Sequence, residues 1–141
     1  MRVLGLDYGS KTIGVAITDG LGITVQPLET ITRPKESVIR KSLVRIEEII
    51  SEYDVDKIVL GYPINMSGVA GERAQKTLEF KKRLEERTGL PVFLCDERLT
   101  TVEADETLEA TGVKKQDRKK YIDQVAAVLI LRDYLQMQQE T

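Results

Sequence analysis

The spacing of apolar residues leaves this chain little choice of architecture. Three short apolar runs come first, with no room for a helix between them. RVLGLDY spans 2–8, and TIGVAITD at 12–19 alternates Ile13, Val15 and Ile17 with small or polar neighbours. A third strand should return over 22–31 behind the Asp19-Gly20 turn signal, until Arg33-Pro34 breaks it. The period then changes. Ile39, Leu43, Ile46, Ile50 and Tyr53 recur at steps of four, three, four and three, which predicts an amphipathic helix over 36–53. KIVLG at 57–61 and PVFLC at 91–95 are compact runs suited to strands buried on both faces. Between them a charged helix over 72–88 stops at Gly89 and Pro91. Thr100 and Glu103 form a capping box that opens a helix to about Thr111. The last helix, over 118–137, is apolar nearly all round in its VAAVLIL centre and should pack against the sheet. Strands joined by short turns are antiparallel, and strands separated by helices are parallel. The expectation is one α/β domain over 1–141, with a five-stranded mixed sheet flanked by helices.

Composition removes several chemistries. The 141 residues contain no histidine and one cysteine, Cys95. This excludes a Ser-His-Asp triad, a Cys-His pair, histidine-ligated zinc, an internal disulfide and a CxxC redox pair. Catalysis would rest on carboxylates, hydroxyls, lysines, tyrosines or a metal held by oxygen. The start MRVLGLDYGS meets an acid at Asp7 and has no small-residue cleavage site, so it does not read as a signal peptide. No window approaches the roughly 20 apolar residues that span a bilayer, and the expected location is the cytoplasm, with no membrane partner.

The strands at 57–61 and 91–95 should run parallel to the first, so their C-terminal ends share the edge where open α/β sheets bind ligands. Asp7 ends the first strand, and Asp96 and Glu97 stand just beyond the last. Asp123 opens the stripe that continues through Ala126, Ala127 and Ile130, so it should point inward, with two alanines letting its helix approach the sheet. Strand-end acids are also common at surfaces, and an inward acid can be paired with a lysine or serve a helix's first turn. Together, Asp7, Glu97 and Asp123 form a candidate carboxylate cluster for Mg²⁺ or Mn²⁺. Such a cluster can activate water and stabilise a leaving oxygen in phosphodiester cleavage without histidine.

Other segments bear on phosphate binding. DYGSKTIG at 7–14 has the form D-x-G-x-x-x-x-G, in which Gly9 allows the turn and Gly14 allows something to approach the second strand closely. Lys11 sits at the hairpin tip. Actin-like ATPases carry a similar first phosphate loop, but they close two such domains on the nucleotide and this length supplies one. Lys114, Lys115, Arg118, Lys119 and Lys120 precede Asp123 and suit a polyanion backbone, although a solvated loop has the same composition. In the Gly-punctuated segment 61–73, Asn65 and Arg73 are candidate substrate contacts. With 21 basic and 23 acidic residues, any nucleic-acid surface must be local.

DYGSKTIGVA, GYPINMSG, DERLTT at 96–101 and DQVAAVLIL at 123–131 resemble, in order and spacing, the four signatures of the YqgF/RuvX family. The resemblance implies an RNase H-like fold and a nuclease, described for the family both as a Holliday-junction resolvase and as an enzyme maturing the 5′ end of pre-16S rRNA. It places the family's acids on Asp7, Glu97 and Asp123, its hairpin lysine on Lys11 and its loop asparagine on Asn65. The chain departs from the family's pattern at Tyr62, Ser67 and Val69, and the missing acid at Ser67 argues against a metal ligand there. The expected function is a Mg²⁺- or Mn²⁺-dependent nuclease, with Lys11, Arg98 and the 114–120 run holding phosphates of precursor rRNA or branched DNA. A resolvase would need a homodimer with two active sites, and no segment announces such an interface. The alternative class is a non-catalytic nucleic-acid-binding factor in ribosome assembly.

Overall fold

The computed structural model describes residues 2–63, 71–96, 110, 112 and 114–140, with the side chains of 115–120 and 139–140 set aside. Five strands, β1 (Arg2–Tyr8), β2 (Thr12–Thr18), β3 (Val25–Thr32), β4 (Val55–Tyr62) and β5 (Val92–Asp96), form one sheet in the order β3-β2-β1-β4-β5. β1 is central, antiparallel to β2 and parallel to β4, and β4 is parallel to β5. The helices are α1 (Arg40–Tyr53), α2 (Glu72–Thr88) and α3 (Lys115–Glu140). The helix expected at 100–111 lies, apart from residue 110, outside the described residues.

Strand alternation sorts the chain into two cores. Leu4, Leu6 and Tyr8 of β1, with Ile13, Val15 and Ile17 of β2, face α1 and α2 and join Leu43, Ile46, Ile49, Phe80 and Leu84. The Phe80 ring stacks on Tyr8 at 4.1 Å and is only 2% exposed. Burying a side chain of this kind contributes roughly 1.5–3 kcal/mol. The opposite face carries Val3, Ala16, Val59 and Cys95 against Ala127, Ile130, Leu131 and Tyr134 of α3. Small residues set the closeness of that second contact: a Cβ on Gly5 would come within 2.9 Å of the Leu131 Cβ and 3.2 Å of the Ala127 carbonyl oxygen.

Local chemistry moves two boundaries from their expected places. β3 begins at Val25 because Asp19 holds the turn through Thr24, accepting hydrogen bonds from the Ile23 amide at 2.8 Å and the Thr24 hydroxyl at 3.0 Å. α1 begins at Arg40 rather than near 36. The Glu36 carbonyl, which a helix would offer to the Arg40 amide, instead accepts from Nε of Arg33 at 3.3 Å, and the Val38 amide closes a tight turn onto Lys35. Pro27 sits on the outer strand β3, where a missing N–H costs least, beside an irregularity that leaves Leu28 without an opposite residue in the β2 ladder. α2 ends on Gly89 in the left-handed region, its N–H returning to the Glu85 carbonyl. Among the described residues no helix is long and apolar enough to cross a membrane.

Candidate active site

The turn of β1 into β2 and the first half of α3 meet at one point. Asp7 lies opposite Gly14 in the β1–β2 ladder. Directly opposite residues share a face of the sheet, so the Asp7 side chain leaves on the α3 side. On that face α3 crosses β2 so closely that a methyl group on Gly14 would run into the carbonyl oxygen of Asp123. The glycine expected to permit a close approach does so, and the element that approaches is the one carrying Asp123. Ala126 and Ala127, both buried, continue the contact.

Asp123 is held as well as placed. The Thr12 hydroxyl donates to its Oδ2 at 2.8 Å, a bond between residues 111 positions apart. One residue on, Nε2 of Gln124 donates to the Thr30 hydroxyl at 3.0 Å and ties the same turn of α3 to β3. Asp7 and Asp123 are both half-buried. A cleft of about 510 Å³, lined by Thr12, Thr30, Thr32, Tyr121 and Gln124 among others, opens beside Asp123. Carboxylates presented by a strand end and a facing helix are hard oxygen donors that match Mg²⁺ or Mn²⁺. Because Gly14 has no side chain, α3 can bring one carboxylate against the strand pair that bears the other. The donor set therefore fits a divalent cation. Among the described residues no third acid, histidine or cysteine joins the pair.

The other expected site residues divide by position. Lys11 is exposed at the β1–β2 turn and Lys114 is exposed just before α3. Lys115, Arg118, Lys119 and Lys120 lie in the opening turns of α3, where only the backbone is described. Glu97, Arg98 and Asn65 lie outside the described residues. Thr12 carries no local signal in the sequence, because its role depends on a partner on another element. Arg33, which in the sequence marks only the end of a strand, has a side chain that is 2% exposed and bonded to the turn that follows Asp7. Buried arginine is uncommon enough to signal a specific partner, but nothing local in sequence betrays that burial.

Comparison with known proteins gives the family. The family model described as "RuvX: Holliday junction resolvase" matches residues 1–137. A protein of Lachnospira eligens described as "Putative pre-16S rRNA nuclease" is 59% identical over 140 residues, covering 99% of this chain and 100% of its own length. A Bacillus subtilis protein of the same description is 50% identical over 135 residues, covering 96% and 97%. Among solved structures, Thermus thermophilus RuvC in complex with a Holliday junction substrate superposes with a TM-score of 0.59 at 17% identity, covering 97% of this chain and 96% of that one. The fowlpox virus Holliday junction resolvase gives 0.58 at 14% identity, covering 97% and 99%. At such identities the likeness concerns the fold, which is α/β and RNase H-like. From the family match over residues 1–137 and the identities of its relatives, the chain belongs to the YqgF/RuvX family.

Proposed function

We propose that the chain acts as a single cytoplasmic nuclease domain that hydrolyses phosphodiester bonds of precursor 16S rRNA with Mg²⁺ or Mn²⁺. The observation that carries this reading is the meeting of Asp7 and Asp123 across Gly14, with Thr12 fixing one of the two carboxylates. Asp7 and Asp123 hold the cation, with Glu97 as the third acid. Bound there, the ion would activate water, a task for which this chain has no histidine, and would add to the neutralisation of phosphate charge. Thr12 keeps the Asp123 carboxylate turned toward the β1 end, so less reorganisation is needed when the cation binds. Lys11, Arg98 and the basic run Lys114, Lys115, Arg118, Lys119 and Lys120 take the substrate's phosphates, and Asn65 is a further contact to the nucleic acid. The choice of precursor rRNA follows the names of relatives that match over nearly their whole length.

The test is cleavage of a labelled 5′-extended 16S precursor and of a four-way DNA junction by the purified chain, with and without Mg²⁺ or Mn²⁺. Metal-dependent cutting of the RNA is expected. It should fall in Asp7→Asn and Asp123→Asn by more than the roughly 10–100-fold that removal of an outer-sphere partner costs. Cutting of the junction alone, by a dimeric form, would replace rRNA by branched DNA as the substrate. Binding of RNA with no cleavage under any metal would make the chain an assembly factor. Full activity in Asp7→Asn would remove the metal site.

A further inference from the structure

We propose that Arg33 and Arg73 are positioning residues that clamp the β1–β2 turn and thereby set the direction of Asp7, an inference that rests on the metal site proposed above. The main chain just after Asp7 is held from behind by these two side chains. Nη2 of Arg33 donates to the Gly9 carbonyl at 2.6 Å, and Nη2 of Arg73 donates to the Tyr8 carbonyl at 3.4 Å. The Arg33 amide adds a third bond, to the Lys11 carbonyl at 2.8 Å. Three carbonyls of the segment 8–11 thus take their hydrogen bonds from two residues distant in sequence. Both guanidinium carbons also lie 4.9 Å from the centre of the Tyr8 ring, which stacks in turn on Phe80.

The arrangement is poor as a stabilising device. Arg33 is almost wholly buried, and its Nη1 has no hydrogen-bond partner among the described residues; Nε of Arg73 is also buried without one. Arg33, Arg73 and Lys76 converge on one carboxylate, Glu36, through Nη2 at 3.9 Å, Nη1 at 2.5 Å and Nζ at 3.0 Å. A buried arginine such as Arg33, with an N–H group unpartnered among the described residues, could be replaced by apolar packing without making the fold less stable. What apolar packing could not supply is a set of directed donors to the carbonyls of Tyr8, Gly9 and Lys11. The cluster also joins the β1–β2 turn to the turn before α1 through Glu36 and to the start of α2 through Arg73 and Lys76.

The experiment compares Arg33→Met, Arg33→Lys, Arg73→Gln and Arg73→Lys in the full chain. It reads Mn²⁺ affinity by calorimetry and amide hydrogen exchange at Gly9 and Arg33, with β4 amides as the internal control and Asp7→Asn as the reference for the site. Arg33→Met is expected to weaken Mn²⁺ binding by about 10-fold, the effect typical of a disturbed outer sphere. It should speed exchange at Gly9 while β4 stays protected, and Arg33→Lys should recover part of both effects. A lower melting temperature with unchanged Mn²⁺ affinity and unchanged exchange at the turn would make the arginines merely structural and overturn the proposal. If Arg33→Met does not fold, the Arg73 variants, altered at a side chain that is 36% exposed, carry the same two readouts. If Asp7→Asn binds Mn²⁺ as well as the parent, the metal reading has failed, and exchange at Gly9 alone upholds or overturns the clamp.

Discussion

At Gly14 the absence of one carbon atom decides where a helix can lie. Its missing Cβ is replaced by the main chain of α3 at Asp123, so the contact is with backbone rather than with the end of a flexible side chain. Gly14→Ala can be accommodated only by lifting α3 or bending β2, which for an overpacked interior site costs about 1–3 kcal/mol. The same movement separates Asp123 from Asp7. Gly14→Ala is therefore expected to lower the melting temperature and to lower metal-dependent cleavage more than the folded fraction explains, as seen in denaturation and activity assays at one temperature. An unchanged specific activity per folded molecule would show that the close approach does not serve the site. This constraint was legible in the sequence as D-x-G-x-x-x-x-G together with the inward stripe from Asp123 through Ala126 and Ala127. Thr12 was not legible, because the bond it makes crosses 111 positions and a threonine at a strand start has ordinary reasons to be there.

At the scale of elements, periodicity located every strand and helix within the described residues, and two of its boundary errors, at the starts of β3 and α1, fall where side chains compete with backbone for the same hydrogen bonds. The start of α1 is the instructive case. The apolar stripe does include Ile39, which is buried, but Arg33 takes the carbonyl of Glu36 and the helix begins one turn late. That diversion places the Glu36 carboxylate against α2. Burial pushes this carboxyl up, yet hydrogen bonds from Lys76 and Arg73 outweigh burial and hold it below its ordinary value. A carboxyl depressed in the folded state stabilises the fold above its unfolded pKa, and the contribution disappears as pH falls through the folded value. Because the group is partly open to solvent, the effect is on the order of 1 kcal/mol. Glu36→Gln is expected to be less stable than the parent at pH 7, where three cations lose their shared anion. It should weaken less on acidification, so that the stabilities of the two proteins, read from urea denaturation, converge as pH falls below the ordinary glutamate range of about 4.3. Parallel stabilities over that fall in pH would show that the carboxylate does not hold α1 to α2.

On the scale of the whole molecule, the sheet separates two jobs. Its α1/α2 face holds the larger core, while its α3 face is built from small residues and carries both described acids at one end. Net charge works against a polyanion: the chain is at −2, so long-range attraction to RNA must come from where the positive residues are placed rather than from their number. The densest run, 114–120, comprises the residue before α3 and its opening turns and ends three residues before Asp123, so on the proposed reading a backbone gripped there would be delivered to the acids by the helix itself. Phosphate binding of this kind appears as salt dependence, because each neutralised phosphate releases counterions. On single-stranded RNA the slope of log K against log salt changes by about 0.7 for each phosphate that is no longer neutralised. A chain with Lys114, Lys115, Lys119 and Lys120 all changed to glutamine is expected to bind the precursor more weakly, with a slope shallower by about 2–3 in magnitude if each lysine meets one phosphate. Cleavage at saturating RNA should be retained, since none of the four is placed on the cation. The measurement is RNA affinity across a salt series, paired with turnover at saturation. An unchanged slope would remove the basic run from the interface and leave Lys11 and Arg98 to guide the strand. A fall in turnover at saturation would mean that the start of α3 helps to set the geometry of Asp123 as well as to hold the substrate.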